Sequence, residues 1–275
     1  MAESPISDTR IRKRAGLSLA AIVIAAFVVF GGAVALVVAR YVTSPASPAA
    51  TPVSTASPTM STSAVFGAAA EDSALATVPM LRLPPQAAQP QAMTTEAAGT
   101  AIAVPKAPVQ TGQWIPRGFP RTPEGALAQL KTLNETALAA ADPQVYTRGF
   151  RELAEPGAPD AEGTGLVSLL TSLRSRAQLP GAGPVAGLNA SYQVTHGQIK
   201  GVTSGGAFTV VCVLGQFSVG VNGQLVSAGV GDCQAMRWSG SQWRIAAGPI
   251  AAPAPSAWPG SADAAKAGYR ILSES

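Results

Sequence analysis

Ala207–Val221, AFTVVCVLGQFSVGV, then Asn222-Gly223, then LVSAGVGDCQAMRW over 225–238, is the stretch that decides the fold. Both runs are rich in β-branched and aromatic residues, and Asn-Gly between two such runs is the strongest short-range signal for a tight hairpin. Downstream, Ser239-Gly240-Ser241 turns the chain into a further strand, Gln242-Trp243-Arg244-Ile245-Ala246-Ala247. Upstream, Tyr192, Val194, His196, Gln198 and Lys200 alternate with their neighbours, so a strand is expected around 190–202 before the turn Ser204-Gly205-Gly206. The four strands form an antiparallel meander. Interior glycines (Gly215, Gly220, Gly229, Gly231) suggest bulges that bend it into a curved sheet.

Before the strands the period is helical. Thr122-Pro123-Glu124 is a helix start, with a side-chain cap, proline in the first turn and an acid at the positive end. Ala126, Leu127, Leu130, Leu133, Ala137, Leu138 and Ala141 then supply one apolar face. Asp142-Pro143 repeats the signal and opens a second helix carrying Val145, Tyr146, Phe150 and Leu153. A third helix is expected from Gly165 to Gln178, with Leu166, Leu169, Leu170 and Leu173 as its stripe. Residues 113–275 therefore read as one α+β domain, helices first and a four-strand sheet after.

The N-terminal part has a different vocabulary. Residues 40–112 are rich in Pro, Ala, Ser and Thr, as in TSPASPAATPVSTASPT, and poor in aromatic side chains. Such a segment buries too little apolar surface to offset its ordering entropy, so a disordered linker is expected, with a coil span of about 45–50 Å. Residues 15–39 form an uninterrupted apolar run without a charge. About 20 apolar residues cross a bilayer core, so the run is expected to be a transmembrane helix. Arg10, Arg12, Lys13 and Arg14 precede it and Arg40 follows, which places the tail 1–14 in the cytoplasm and the C-terminal domain outside it. Arg12, Lys13, Arg14, Arg40 and Tyr41 are the expected membrane-interface residues. The alternative, a cleaved secretory signal, requires an apolar core of 7–15 residues, shorter than this run. The pairs Ala21/Ala25 and Gly31/Ala35 would let a second copy approach closely in a homo-oligomer.

Chemistry-bearing residues are few. The formal net charge is +4, with twelve cations and ten acids spread over 113–275, so direct nucleic-acid binding is not expected. Cys212 and Cys233 lie 21 residues apart around the Asn-Gly turn, where neighbouring antiparallel strands would allow a disulfide; two buried free thiols are the other reading. One histidine and no Cys-x-x-Cys exclude the common zinc arrangements, and no phosphate loop is present, so no metal or cofactor is expected. His196 and Asp232 are the remaining pocket candidates, a base and an acid that would have to face each other across a curved sheet. A histidine on a strand more often packs in a core or rim, so no catalytic residue is expected and the chain reads as a non-enzyme.

The order of anchor, Pro/Ala tether, helices and curved sheet resembles the bitopic inner-membrane components of bacterial conjugation and type IV secretion systems. These carry an extracytoplasmic nuclear transport factor 2-like, cone-shaped domain. Gly118–Ala126 (GFPRTPEGA), Met236-Arg237-Trp238, Trp243-Arg244-Ile245, and Ala257–Ser261 followed by Ala267-Gly268-Tyr269-Arg270 resemble proteins of the actinobacterial type. The resemblance implies a scaffold or accessory protein of a DNA-transfer apparatus. Its expected partners are the lipid bilayer and other membrane subunits. A membrane-tethered ligand-binding ectodomain with an apolar pocket inside the cone is the alternative, and a tethered pocket enzyme is a second.

Overall fold

Local signals set the first elements. The computed structural model describes residues 62–108, 114–221 and 223–275. Helix α1 spans Thr62–Thr77, a 3₁₀ turn Pro85–Ala88, and strand β1 Ile102–Val104. Helices α2 (Pro123–Leu138), α3 (Pro143–Leu153) and α4 (Gly165–Arg176) follow. The Thr122 hydroxyl accepts from the Gly125 N–H at 3.1 Å, and Asp142 Oδ1 accepts from the Gln144 N–H at 2.8 Å, so both expected caps are formed. Then come β2 (Asn189–Thr203), β3 (Phe208–Val221), β4 (Gln224–Ser239) and β5 (Gln242–Ile245), closed by α5 (Ala262–Lys266) and β6 (Arg270–Glu274).

The architecture is mixed α+β, with a curled half-barrel sheet of six strands in the order β1-β6-β2-β3-β4-β5. The expected antiparallel meander β2–β5 is present. Val221 pairs with Gln224 around Gly223, whose φ of +77° suits glycine. Two strands were not legible. β6 pairs antiparallel with β2 at His196 and Gly197, and β1 lies parallel to β6, so the two ends of the domain are neighbours.

Each face of the sheet carries its own apolar cluster. Val211, Val213, Phe217 and Val230 pack under α2, α3 and α4 on the helix face. Phe208, Val210, Cys212, Leu214, Cys233 and Ala235 lie on the opposite face. There α1 and two irregular straps, residues 78–101 and 246–261, cover them; the straps are tied by Ala252 N–H to Ala76 O (2.9 Å), Trp258 N–H to Ala87 O (2.6 Å) and Thr94 N–H to Gly260 O (2.9 Å). The expectation of a disordered linker over 40–112 is therefore corrected for its described part. Residues 62–108 form a helix, a 3₁₀ turn and an edge strand, because a two-sided apolar sheet offers this Ala-rich segment a surface that its own composition does not reveal. Residues 40–61 lie outside the described residues, as do the tail 1–14 and the apolar run 15–39. No helix among the described residues is long and apolar enough to cross a membrane.

The glycines are a second correction. The β3–β4 register runs without a shift through all four; the irregularities sit in β2, between Val194 and His196 and between Ile199 and Gly201. Gly229 and Gly231 instead admit the C-terminal strap. A Cβ at Gly229 would stand 1.7 Å from Ala257 O, and one at Gly231 2.3 Å from Pro255 O. Gly215 makes room for the Tyr192 ring, 2.8 Å from where its Cβ would be.

Candidate functional site

Asp232 is the most unusual ionisable group of the helix face. Its partner across the hairpin is Val213, which points to α2, so the carboxylate is carried inward and left 6 % exposed. Asn134 Nδ2 of α2 donates to Asp232 Oδ2 at 2.8 Å, and Gln234 Nε2 donates to Oδ1 at 2.9 Å. Burial pushes the carboxyl up to about 6, although both amides favour its charged form. The hydroxyls of Tyr146 and Tyr192 lie near enough to be affected. Burial raises both well above the usual phenol value, and the Asp232 charge adds to it. Tyr192 donates to Val230 O at 2.7 Å. Asn134 Oδ1 finds no hydrogen-bond partner among the described residues. This is a buried polar knot inside an apolar layer. It can hold or release one proton.

His196 does not belong to that knot. It pairs with Leu214, whose side chain joins the strap-face cluster, whereas Asp232 pairs with Val213 on the helix face. The two candidates thus lie on opposite faces of the sheet, and the expected acid–base pair is not brought together. The strand parity decides this: the shift between Val194 and His196 turns the histidine to the straps. There its Nδ1 shares a hydrogen bond with Thr195 Oγ1 at 2.9 Å, and burial lowers its pKa.

Cys212 and Cys233 are paired residues of β3 and β4 and form a disulfide. Both lie buried under the straps. The expected interface residues Arg12, Lys13, Arg14, Arg40 and Tyr41 fall outside the described residues. Trp238 and Trp243 meet edge to face across β4 and β5, with ring centroids 5.5 Å apart, and Trp243 Nε1 donates to Pro120 O at 2.8 Å. They are a sheet-face contact that seats the start of α2.

Two polar clusters escaped the sequence. Asp72 of α1 accepts from Thr203 Oγ1, from Ser204 Oγ at 2.9 Å and from Arg237 Nη2 at 2.9 Å, joining the former linker to the β2–β3 turn and to β4. Arg174 of α4, 1 % exposed, donates to Ala141 O, Pro180 O and Gly183 O and lies 3.4 Å from Asp142. The partners of Asp72 lie more than a hundred residues away, and Arg174 joins the nearby loop at Pro180 and Gly183 to Ala141 and Asp142 at the start of α3, so no local pattern announces either. An open groove of about 390 Å³ runs between Thr147, Arg148 and Arg151 of α3 and Val167 of α4. Arg148 stacks 4.7 Å over the ring of Trp114 at its side.

Comparison with known proteins gives no match: no family model, no curated protein and no solved structure is similar to this chain.

Proposed function

We propose that the chain is a non-enzymatic, single-pass membrane protein whose extracytoplasmic domain, of the nuclear transport factor 2-like type, serves as a scaffold or accessory subunit of a bacterial conjugative DNA-transfer or secretion apparatus. The observation that carries the reading is the order of parts: basic tail, 25-residue apolar run, Pro/Ala/Ser/Thr segment and helices followed by a curled sheet. The Cys212–Cys233 disulfide supports an oxidising location for the domain. The separation of His196 from Asp232 removes the acid–base pair on which the pocket-enzyme reading rested. A domain of this kind acts through its surface, and its anchor holds that surface at the bilayer. Crosslinking of the full-length chain in its intact host, followed by mass spectrometry, tests it. Recovery of transfer-apparatus subunits, with loss of DNA transfer on deletion, is the expected result. Normal transfer in the deletion strain and no such subunits among the crosslinks sinks the reading.

A further inference from the structure

Met93 lies in the strap 78–101 and is 71 % exposed, so packing into the core is not what places it there. The bond from Thr94 N–H to Gly260 O (2.9 Å) holds its backbone beside the C-terminal strap. A Cβ at Gly260 would stand 2.8 Å from Met93 Sδ and 3.8 Å from His196 Cε1, and the φ of +78° there already suits glycine. Thioether and imidazole therefore share one small space above Gly260, although one belongs to a strap and the other to β2. Thr195 Oγ1 can accept from the Nδ1–H of His196, the tautomer that leaves the lone pair of Nε2 to a ligand. Nε2 makes no hydrogen bond among the described residues and is not sealed from solvent. Ile271 of β6, paired with His196 in the register and 57 % exposed, adds an apolar wall on the same face.

We propose that Met93 Sδ and His196 Nε2 bind a soft univalent metal ion of the copper(I) class. Such ions prefer thioether and imidazole donors and accept two of them in line. The zinc arrangements that the sequence excludes do not cover this pair, since zinc sites are built from thiolate, imidazole and carboxylate. Harder ions fit worse, because no group of three His, Cys, Asp or Glu side chains among the described residues could hold one. The two thiols are closed in a disulfide and the Met236 thioether is buried, which leaves Met93 as the exposed soft donor beside the histidine. The flexible methionine side chain can adjust to close the pair on an ion. Met93 falls in the segment that composition marks as a linker, so its meeting with His196 was not legible there. The site needs no partner protein: its failure leaves the transfer-apparatus reading untouched, and the reverse holds.

Silver(I), a redox-silent member of the class, titrated into the full-length chain in detergent micelles and chloride-free buffer, tests it. The readout is NMR of isotope-labelled histidine and methionine methyl groups, and the single histidine of the chain makes its signal unambiguous. The His196 Nε2 and Met93 Cε signals are expected to shift together and to saturate at one ion per chain. Met93→Leu, a volume-conserving change at an exposed position, lowers the affinity read at His196 about tenfold, with an unchanged melting temperature. Zinc(II) binds more weakly than silver(I). An unmoved His196 signal at silver saturation, a shift of His196 without Met93, equal affinity of native chain and variant, or zinc binding as tight as silver overturns the proposal.

Discussion

At the scale of single residues, Asp232 couples stability to pH in an unusual direction. Its folded-state pKa is raised from the ordinary 3.8 to about 6, so the folded chain holds the proton more tightly than the unfolded one. The contribution is fully present below the unfolded value and is lost as pH rises through about 6. The difference corresponds to roughly 2–3 kcal/mol. Asp232→Asn removes the titration, and rotation of the Asn134 amide lets its unpaired Oδ1 accept from the new amide. Urea unfolding between pH 4 and 8 is therefore expected to show a decline in the native chain that flattens in the variant; parallel profiles would refute the assignment. Gly229 gives a second prediction. Gly229→Ala drives a methyl to 1.7 Å of Ala257 O and is expected to lower stability by about 2–4 kcal/mol, whereas Gly220→Ala, with 3.7 Å to its nearest neighbour, should cost under about 1 kcal/mol in the same thermal melts. Equal melting temperatures for the two variants would contradict the strap's close approach. The glycines stood out in the sequence, but their role did not, because the atom they avoid belongs to a segment some 25 residues away.

At the scale of elements, legibility followed the locality of the cause. The caps at Thr122 and Asp142 and the turn at Asn222-Gly223 rest on neighbours in the chain, and the helices and the meander were readable from them. Helix α1 was not, since TSAVFGAAAEDSALAT shows no apolar stripe and sits in Pro-rich surroundings. It holds through tertiary contacts: Leu75 lies against Gly201, Lys200 Nζ reaches the carbonyls of Ala76 and Val78 at the helix end, and Asp72 binds Arg237. The cation at the C-terminal carbonyls complements the helix dipole. Asp72 is the critical contact, because one carboxylate satisfies two hydroxyls and a guanidinium. Asp72→Ala is expected to weaken the docking by about 2 kcal/mol. Hydrogen exchange should then quicken across residues 67–77 while β3 and β4 keep their protection. Unchanged exchange in α1 would show that apolar contacts alone hold the helix.

At the scale of the whole molecule, the sheet is buried on both faces, and this moves the boundary of the domain. The helix face is covered mostly by residues that follow Trp114, with Ile102 and Val104 of β1 added, whereas the strap face is covered in part by residues 62–108. The same residues supply β1, which pairs with β6 and takes the Ser275 N–H at Val104 O. A chain beginning at residue 114 would keep every element that the sequence made legible and still lack this cover. Phe208, Val210 and Leu214 would lose much of their shielding, and each is worth about 1.5–3 kcal/mol when buried. Their sum is comparable with the whole stability of an ordinary domain, about 5–15 kcal/mol. The fragment 62–275 is therefore expected to unfold in one cooperative transition and to ignore a hydrophobic dye. The fragment 114–275 should bind the dye, aggregate and melt broadly. Its disulfide separates this from general misfolding: Cys212 and Cys233 lie under the straps, so mild reductant followed by alkylation should label them in 114–275 and leave them unlabelled in 62–275. Equal stability and equal labelling in the two fragments would mean that the strap face is covered without the N-terminal segment.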